Sequence, residues 1–363
     1  MPSPVELICI GNAMVDVFVD VDPARLDGMG ITEPAQHIPR ERAQAILEEL
    51  KSDPNAGLVF NSGGAAANTA KIAAMLGVGA AFFGCVGAHD NAPEGGGDLA
   101  GFFENDLRAA GVDPFLRRIP FQAEDGGRTG LCFAFNCGGE IRLAASPGAS
   151  LELNEADIRE DLIAKAEAVV LDGYMLDRRP LVQHILQIAS RCGVPIALDA
   201  ASVFQILGKT EDILQYSRNY PLIVFMNADE TIAFYNTIKK SSVSPNFSGD
   251  REKEAFILRE ICPVLKYITE GDIFPVIVIK LGSRGAVVLA GGNIYREETF
   301  SVIPRNTVGA GDAFCAAFIS AWIRGKSIQE CAVLGNKAAR VILEAPAARV
   351  KSNKLKSLAK LLR

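Results

Sequence analysis

Short, nearly continuous apolar runs recur along the chain, and segments with helical periodicity separate them. Apolar runs without polar alternation are typical of strands that are buried on both faces of a parallel sheet. The predicted strands are Val5–Ile10, Ala168–Leu171, Pro195–Leu198, Leu222–Met226 and Val276–Ile279. The predicted helices are Glu41–Leu50, Asn68–Leu76, Leu99–Ala110, Asn154–Lys165, Pro180–Cys192 and Lys253–Ile268. This alternation predicts an α/β fold with a central, mostly parallel sheet flanked by helices.

Two early segments break the alternation. Val15–Ile38 and Phe115–Leu143 look like short strands joined by polar turns, and they predict a small β-sheet that projects as a lid. We therefore expect residues 1–363 to form a single domain, with a lid contributed by about residues 15–38 and 115–143. Two polar stretches, Asn91–Gly97 and Ser241–Asp250, are predicted to be surface loops.

Composition narrows the class of protein. Of the 363 residues, 49% are hydrophobic and 22% are charged, which is typical of a globular protein with a sizeable core. The net charge of −6 argues against a nucleic-acid partner, which favours a basic surface. No apolar run is long enough to span a membrane and no signal peptide is evident, so we expect a cytoplasmic protein. The eight cysteines form no C-x-x-C pair, which predicts free thiols in a reducing compartment.

The most informative segment runs from Asn306 to Phe314. Gly309, Ala310 and Gly311 allow the backbone to approach a ligand closely, and a helix with an apolar face follows. The start of a helix favours anions such as a phosphoryl group, so these residues are a candidate anion hole. Asp312 lies in the first helical turn, where it is a candidate catalytic base. The alternative is that Asp312 only stabilises the helix, as any acid in a first turn does.

A second glycine-rich segment also precedes a predicted helix. Gly63 and Gly64 permit close approach of the backbone, and the side chain of Asn68 can donate and accept hydrogen bonds, as a polyol requires. Asn12 and Asp16 follow the first strand, where ligands of open α/β sheets bind. The alternatives are tight packing of a small-residue helix for the glycine segment and an exposed turn for Asp16.

Two further motifs follow later strands. Asn227 and Glu230 could hold Mg²⁺ through water, or they could cap a helix. The stretch from Lys280 through Gly282 to Gly285 is a tight turn that could either line a nucleotide site or form only a hairpin.

These motifs, in this order, resemble the signatures of the ribokinase-like (PfkB) carbohydrate and nucleoside kinases. One signature runs from Gly63 to Gly87 and the other from Asn306 to Phe318; the N-x-x-E element matches at Asn227 and Glu230. The segment between Asp16 and Gly63 is long, as in the adenosine-kinase-like branch. The resemblance spans nearly the whole chain.

The resemblance implies a ribokinase-like sheet with a small β lid, ATP as the phosphoryl donor and Mg²⁺. It implies that Asp312 is the base and that the anion hole runs from Gly309 to Asp312. It places the acceptor near Asn12, Asp16, Gly63, Gly64 and Asn68. It places the nucleotide near Asn227, Lys280, Gly282, Gly285 and Asn336, with Glu230 near Mg²⁺.

Some features differ from the family or leave choices open. Asn306 replaces the usual aspartate, which leaves a monovalent-cation site uncertain, and Arg128 and Arg142 are both candidates for a γ-phosphate contact. We favour a sugar acceptor over a nucleoside. An inactive binding protein is a second class. A dehydrogenase is disfavoured, because the turn after the first strand lacks G-x-G-x-x-G. A monomer and a homodimer both remain open.

Overall fold

The structure, a computed structural model, describes residues 4–88, 98–120, 127–241, 247–269, 276–300, 302–345 and 352–362. The strands are β1 (Leu7–Ile10), β2 (Met14–Asp20), β3 (Ala35–His37), β4 (Val59–Gly63), β5 (Ala80–Gly87), β6 (Val112–Ile119), β7 (Gly130–Cys137), β8 (Glu140–Ser146), β9 (Ala168–Asp172), β10 (Ile196–Asp199), β11 (Leu222–Asn227), β12 (Val276–Lys280), β13 (Ala286–Ala290) and β14 (Asn293–Glu297). The helices are α1 (Pro23–Gly28), α2 (Arg40–Ser52), α3 (Ala65–Met75), α4 (Leu99–Ala110), α5 (Glu160–Ile163), α6 (Arg179–Cys192), α7 (Val203–Asn219), α8 (Ala228–Lys239), α9 (Asp250–Phe256), α10 (Cys262–Ile268), α11 (Ala310–Trp322), α12 (Ile328–Leu343) and α13 (Ser352–Leu358).

Nine strands form a large sheet in the order β14-β13-β12-β11-β10-β9-β1-β5-β6. Neighbours from β12 through β6 pair in parallel, and β13 and β14 are added as antiparallel strands at one edge. All five strands predicted from apolar runs lie in this sheet, so the predicted fold class is confirmed. The carboxyl ends of its parallel strands meet at one edge, where ligands of such sheets bind.

Apolar side chains alternate between the two faces of the large sheet. Leu7 and Cys9 of β1 belong to a core that includes residues of α3, α4, α11 and α12. Ile8 and Ile10 belong to the other core, which includes residues of α6, α7, α8 and α10. Burial on both faces explains why these strands lack polar alternation in the sequence.

Five strands form a smaller sheet in the order β3-β8-β7-β2-β4. Only Gly11, Asn12 and Ala13 separate β1 of the large sheet from β2 of the small one. The segment predicted at 15–38 supplies most of β2 and all of β3. The stretch Phe115–Ile119, however, was wrongly assigned to this sheet, because it belongs to β6 and pairs in parallel with β5 of the large sheet. The small sheet instead includes β4, which was not predicted. This strand follows α2, and its sequence does not alternate between apolar and polar residues.

Two predicted helices differ from the structure. Asn154–Lys165 is not one helix: Glu155–Asp157 is a short 3₁₀ turn, Ile158 is extended, and only Glu160–Ile163 is α-helical. The side chain of Asp157 accepts hydrogen bonds from the backbone of Asn154 and from Arg117, which favours the short turn.

The helix predicted at Lys253–Ile268 contains a π-helical stretch at Ile257–Ile261, just before Pro263. Proline has no N–H to donate, so a local change in helical winding is expected there. The long helix α7 was not predicted. Its exposed Phe204 and Leu207 and its interior Gly208 obscure the helical pattern.

The described residues also bear on the predictions from composition. All eight cysteines are free, as expected. Within the described ranges, no helix has the length and apolar character needed to cross a membrane. The loop predicted at Asn91–Gly97 and residues 242–246 of the second loop lie outside the described residues.

Candidate active site

Two glycine-rich motifs meet at the N-terminus of α11. Gly309 precedes the helix in a left-handed conformation, with φ of 81°, which glycine adopts without strain. Asp312 lies in the first turn of α11, and its Oδ2 accepts a hydrogen bond of 2.9 Å from Nδ2 of Asn68 on α3. The side chains that the sequence proposed as base and as acceptor contact are therefore adjacent.

The environment of Asp312 favours its protonated form more than water does. Burial, with a smaller contribution from the negative charge of Asp199, raises the pKa of Asp312 to about 7. The hydrogen bond from Asn68 and the positive charge of Lys280 act in the opposite direction. Near neutral pH the carboxyl group is therefore divided between an acidic and a basic form, which suits a group that exchanges a proton.

A cavity of about 440 Å³ lies on one side of this helix start. Its polar lining includes Asp16, Asn68 and Gly309, and its apolar lining includes Phe18, Ile72, Met75 and Ile342. Asp16 on β2 is buried, and this burial raises its pKa to about 7, although Lys71 opposes the shift. A cavity lined by the carboxyl groups of Asp16 and Asp106 and by the amide of Asn68 can hold the hydroxyls of a polyol.

Gly63 and Gly64 allow close packing beside this cavity, because neither has room for a side chain. A Cβ on Gly63 would lie 2.1 Å from the carboxyl group of Asp16. A Cβ on Gly64 would lie 2.1 Å from the carbonyl oxygen of Asn12, and Gly64 also has a positive φ of 94°. The start of α3 can therefore lie directly against β2 and the end of β1 only if both residues are glycine.

Asn12 lies behind this contact and is buried. Its Oδ1 accepts a hydrogen bond from Arg178, so its side chain is engaged within the protein. Nearby, Asp172 at the end of β9 is 2% exposed, and burial raises its pKa to about 6. Its Oδ1 accepts from the backbone of Tyr174, and in the described part of the chain its Oδ2 has no hydrogen-bond partner.

A second cavity, of about 280 Å³, lies beyond the ends of β11 and β12. Of the predicted nucleotide-binding residues, Asn227, Lys280 and Gly282 line it. Asn227 and Glu230 form a capping box at the start of α8, in which both oxygens of Glu230 accept hydrogen bonds from Asn227. Glu230 is buried, and burial raises its pKa to about 7 although Lys280 opposes the shift.

Lys280 connects this second cavity with the start of α11. Its Nζ donates to both oxygens of Asp199, at 2.9 and 2.7 Å. Burial disfavours the charge of Lys280, but Asp199 and Glu230 outweigh that effect and raise the pKa of the ammonium. A Cβ on Gly311 would lie 3.3 Å from this ammonium group. A positive charge is thus held beside the helix start, at the second cavity.

The remaining predicted nucleotide residues have structural contacts. The nearest atom to a Cβ on Gly285 would be the carbonyl oxygen of Glu297, at 2.1 Å. Asn336 Nδ2 donates to the same carbonyl oxygen at 3.5 Å. Neither residue lines the two cavities formed by the described residues. Asn306, the departure from the family pattern, forms hydrogen bonds with the backbone of Val308 and so shapes the loop before α11.

Asp172 and Asp199 were not predicted as site residues. Asp172 is the last residue of β9, and Asp199 is the last residue of β10. The negative charges of both residues raise the pKa of Asp312. The available signal was an aspartate directly after a buried apolar run, since that position lies at the ligand-binding edge. Among the described residues, no group of three or more His, Cys, Asp or Glu side chains could hold a metal ion.

The architecture defines the class of protein. A large, mostly parallel sheet carries a glycine-rich helix start and an aspartate at its ligand-binding edge, and enzymes of this kind transfer a phosphoryl group to a hydroxyl of a sugar or nucleoside. The family model described as pfkB family carbohydrate kinase matches residues 36–355, and the chain belongs to this family. The predicted family and the predicted enzyme class are therefore confirmed.

Several named proteins are similar to the chain. The 5-dehydro-2-deoxygluconokinase of Bacillus subtilis is 25% identical over 297 residues, which cover 77% of this chain and 80% of that protein. Adenosine kinase 1 of Arabidopsis thaliana is 25% identical over 352 residues, covering 93% and 94%. The crystal structure of a probable sugar kinase from Rhizobium etli has a TM-score of 0.77 and 25% identity, and the match covers 98% of this chain and 99% of that one.

The contact between Gly63 and Asp16 yields a test. Gly63→Ala should lower the free energy of unfolding by about 1–3 kcal/mol, because the added Cβ forces a shift in a closely packed region. Chemical denaturation measures this change. Gly28→Ala is the matched control, since a Cβ on Gly28 would meet nothing within 4 Å. A Gly63→Ala variant as stable as the parent would show that the contact is not restrictive.

Proposed function

We propose that the protein transfers the γ-phosphate of ATP to a hydroxyl group of a sugar or sugar-like molecule. One observation carries this proposal: the start of α11 adjoins both cavities. Gly309 lines the first cavity together with Asp16 and Asn68, and Gly311 lies beside Lys280, which lines the second together with Asn227. Phosphoryl transfer requires a donor and an acceptor in line on either side of an anion-stabilising group. The arrangement supports the acceptor in the first cavity and ATP in the second.

A nucleoside is the second candidate for the acceptor. The apolar part of the first cavity, with Phe18, Ile72, Met75 and Ile342, offers a surface on which a flat base can pack. The similarity to adenosine kinase 1 also extends over 93% of the chain.

The N-terminus of α11 would stabilise the negative charge of the transferring phosphoryl group. Backbone N–H groups at Gly309, Ala310 and Gly311 lie at the positive end of the α11 dipole, where they would stabilise charge on a transferring phosphoryl group. The N–H of Ala310 would first have to leave a long hydrogen bond, of 3.4 Å, to the carbonyl oxygen of Thr307. Lys280 adds a permanent positive charge beside Gly311. Because Asp199 already holds the Lys280 ammonium at a fixed position, little reorganisation is needed when the phosphates bind.

Asp312 is the proposed base. An acceptor hydroxyl beside its carboxylate can lose a proton to it as the bond to phosphorus forms. Asn68 donates a hydrogen bond to Oδ2 of Asp312, which orients the carboxylate and leaves Oδ1 for the substrate.

The residues at the second cavity fit Mg²⁺ that arrives with ATP. Mg²⁺ keeps much of its water shell and binds mainly substrate phosphates together with one or two carboxylates. Glu230 is buried and does not line this cavity, and both of its oxygens accept hydrogen bonds from Asn227, which does line it, so Glu230 would act on the ion only through Asn227 or water. When bound, the ion would neutralise part of the phosphate charge.

Asp312→Asn tests the proposed base. The variant keeps the size of the side chain but cannot accept the proton, so turnover should fall by roughly 10²–10⁴-fold while folding is retained. Glu330→Gln is the matched control, because Glu330 is also a first-turn acid and lies on the next helix. Steady-state kinetics and thermal unfolding measure both variants. A fully active Asp312→Asn variant would refute the assignment.

The raised pKa of Asp312 predicts a pH dependence. Only the ionised carboxylate accepts a proton, so kcat/KM should rise with pH up to about 7 and then level off. Asp16 has a similarly raised pKa, of about 7. The rising limb should therefore persist in Asp16→Asn, at lower overall activity, if Asp312 is the group that titrates. Loss of the limb in Asp16→Asn would assign it to Asp16 instead.

The small sheet should close over the first cavity when acceptor binds, since closure excludes water from the transferring group. Amide hydrogen exchange in β7 and β8 should slow when acceptor is added. β6 is the internal control, because it lies in the large sheet and should change less. Closure of the small sheet would be contradicted if exchange slowed as much in β6 as in β7 and β8. It would also be contradicted if exchange slowed in none of these strands.

A further inference from the structure

We propose that the first cavity selects acceptors without a negative charge, and that the ion pair between Lys71 and Asp106 sets this selectivity. The inference rests on the proposed function, because it concerns the acceptor of that same site. It narrows the acceptor to an uncharged sugar or nucleoside and excludes phosphosugars and sugar acids as good substrates.

The charges that line the cavity are unevenly distributed. Among the described residues of its lining, Lys71 is the only cation, whereas Asp16 and Asp106 are acidic. The cavity also reaches Asn68, which is hydrogen-bonded to the carboxyl group of Asp312. The described lining therefore carries one positive and two negative charges, and the carboxyl group of Asp312 lies one hydrogen bond beyond Asn68. Within the described lining, Lys71 alone could bind the charge of an anionic acceptor, so its existing contacts affect how well such an acceptor binds.

The ammonium of Lys71 is already held by partners within the protein. Its Nζ donates to the carbonyl oxygen of Ser62 at 2.5 Å and lies 3.4 Å from Oδ2 of Asp106. The same Asp106 oxygen accepts from the backbone N–H and the hydroxyl of Ser62, at 3.1 and 2.5 Å. Ser62 is fully buried, and 14% of the Lys71 side chain is exposed. The three residues form one hydrogen-bonded group that holds the ammonium against Asp106.

The position of this group makes it part of the acceptor cavity. Lys71 follows Asn68 by one turn of α3, and Ile72 and Met75 of the same helix also line the cavity. Asp106 enters from α4. Lys71 also lowers the pKa of Asp16 through its charge, which indicates that the ammonium and this carboxyl group are close in space.

Electrostatics then disfavours an anionic acceptor. With the ammonium of Lys71 held against Asp106, Lys71 and Lys280 only partly offset the negative charges of Asp16 and Asp312, and burial still raises the pKa of both carboxyl groups. A phosphate or carboxylate placed among them would lose part of its hydration and meet like charges, and such juxtaposition costs several kcal/mol. An uncharged polyol donates hydrogen bonds to the same carboxylates without that cost.

The names of the relatives do not decide between a charged and an uncharged acceptor. One relative is named for 5-dehydro-2-deoxygluconate, a sugar acid, and another is named for adenosine, which is uncharged. Family membership alone therefore does not decide the charge of the acceptor, and the Lys71–Asp106 pair carries the inference.

The first experiment uses the unaltered protein at pH 8, with ATP and Mg²⁺. Initial rates are measured for uncharged acceptors (adenosine, ribose and fructose) and for anionic ones (ribose 1-phosphate, fructose 6-phosphate and 5-dehydro-2-deoxygluconate). The best uncharged acceptor should exceed the best anionic one in kcat/KM by at least about tenfold. An anionic acceptor that equals or exceeds it would overturn the inference and leave the proposed function intact. Turnover of no acceptor in either group would contradict the proposed function and the inference together.

The second experiment changes the pair. Asp106→Asn keeps an oxygen that can accept from Ser62 but releases the charge of Lys71, so the preference for uncharged acceptors should shrink by about tenfold. The matched control is Glu104→Gln, which also removes one negative charge from α4 but at a residue that does not line the cavity. It should keep the preference of the parent.

A double variant separates charge from structural damage. Lys71→Met combined with Asp106→Asn removes both charges, so it should retain the preference of the parent even if overall activity falls. Thermal unfolding checks that each variant is folded. If folded Asp106→Asn keeps the parent's preference, or if the double variant loses it as Asp106→Asn does, the pair does not set the selectivity.

Discussion

The hydrogen bond between Asn68 and Asp312 joins the two halves of the site. Asn68 belongs to the first glycine-rich motif and Asp312 to the second, and 244 positions separate them in the chain. The bond can form only because α3 begins against β2 without side chains at Gly63 and Gly64, and α11 begins at a glycine with positive φ. The acceptor cavity, the helix start and the orientation of the carboxylate all depend on this approach of two helix ends.

Burial gives the same region its unusual protonation. Asp16, Asp172, Glu230 and Asp312 all have raised pKa values, and burial is the largest cause for each. Lys280 remains charged among them because Asp199 binds it directly. The edge of the sheet thus combines carboxyl groups that can gain or lose a proton near neutral pH with one cation that cannot lose its charge there. That combination suits proton removal on one side of a phosphoryl group and anion binding on the other.

Much of this could be predicted from the sequence. Buried parallel strands have a clear apolar pattern, and glycine-rich helix starts are local features, so the large sheet and the two motifs were found. Features that depend on pairing between distant segments were harder to predict. The register of β6 beside β5 is decided in three dimensions, and the sequence of Phe115–Ile119 alone suits either sheet. Asp199 binds Lys280, which lies 81 positions away in the chain, and Lys71 binds Asp106, which lies 35 positions away. The roles of these residues are therefore evident only in the folded structure.

The link between the two sheets also limits how the chain can change. Only Gly11, Asn12 and Ala13 connect β1 to β2, and a Cβ on Gly11 would lie 2.5 Å from Oδ2 of Asp172. Successive side chains of a strand point to opposite faces, so one inserted residue before β2 would either turn Asp16 away from the cavity or break the pairing of β2 with β4 and β7. Insertions and deletions should therefore be excluded from this link during divergence.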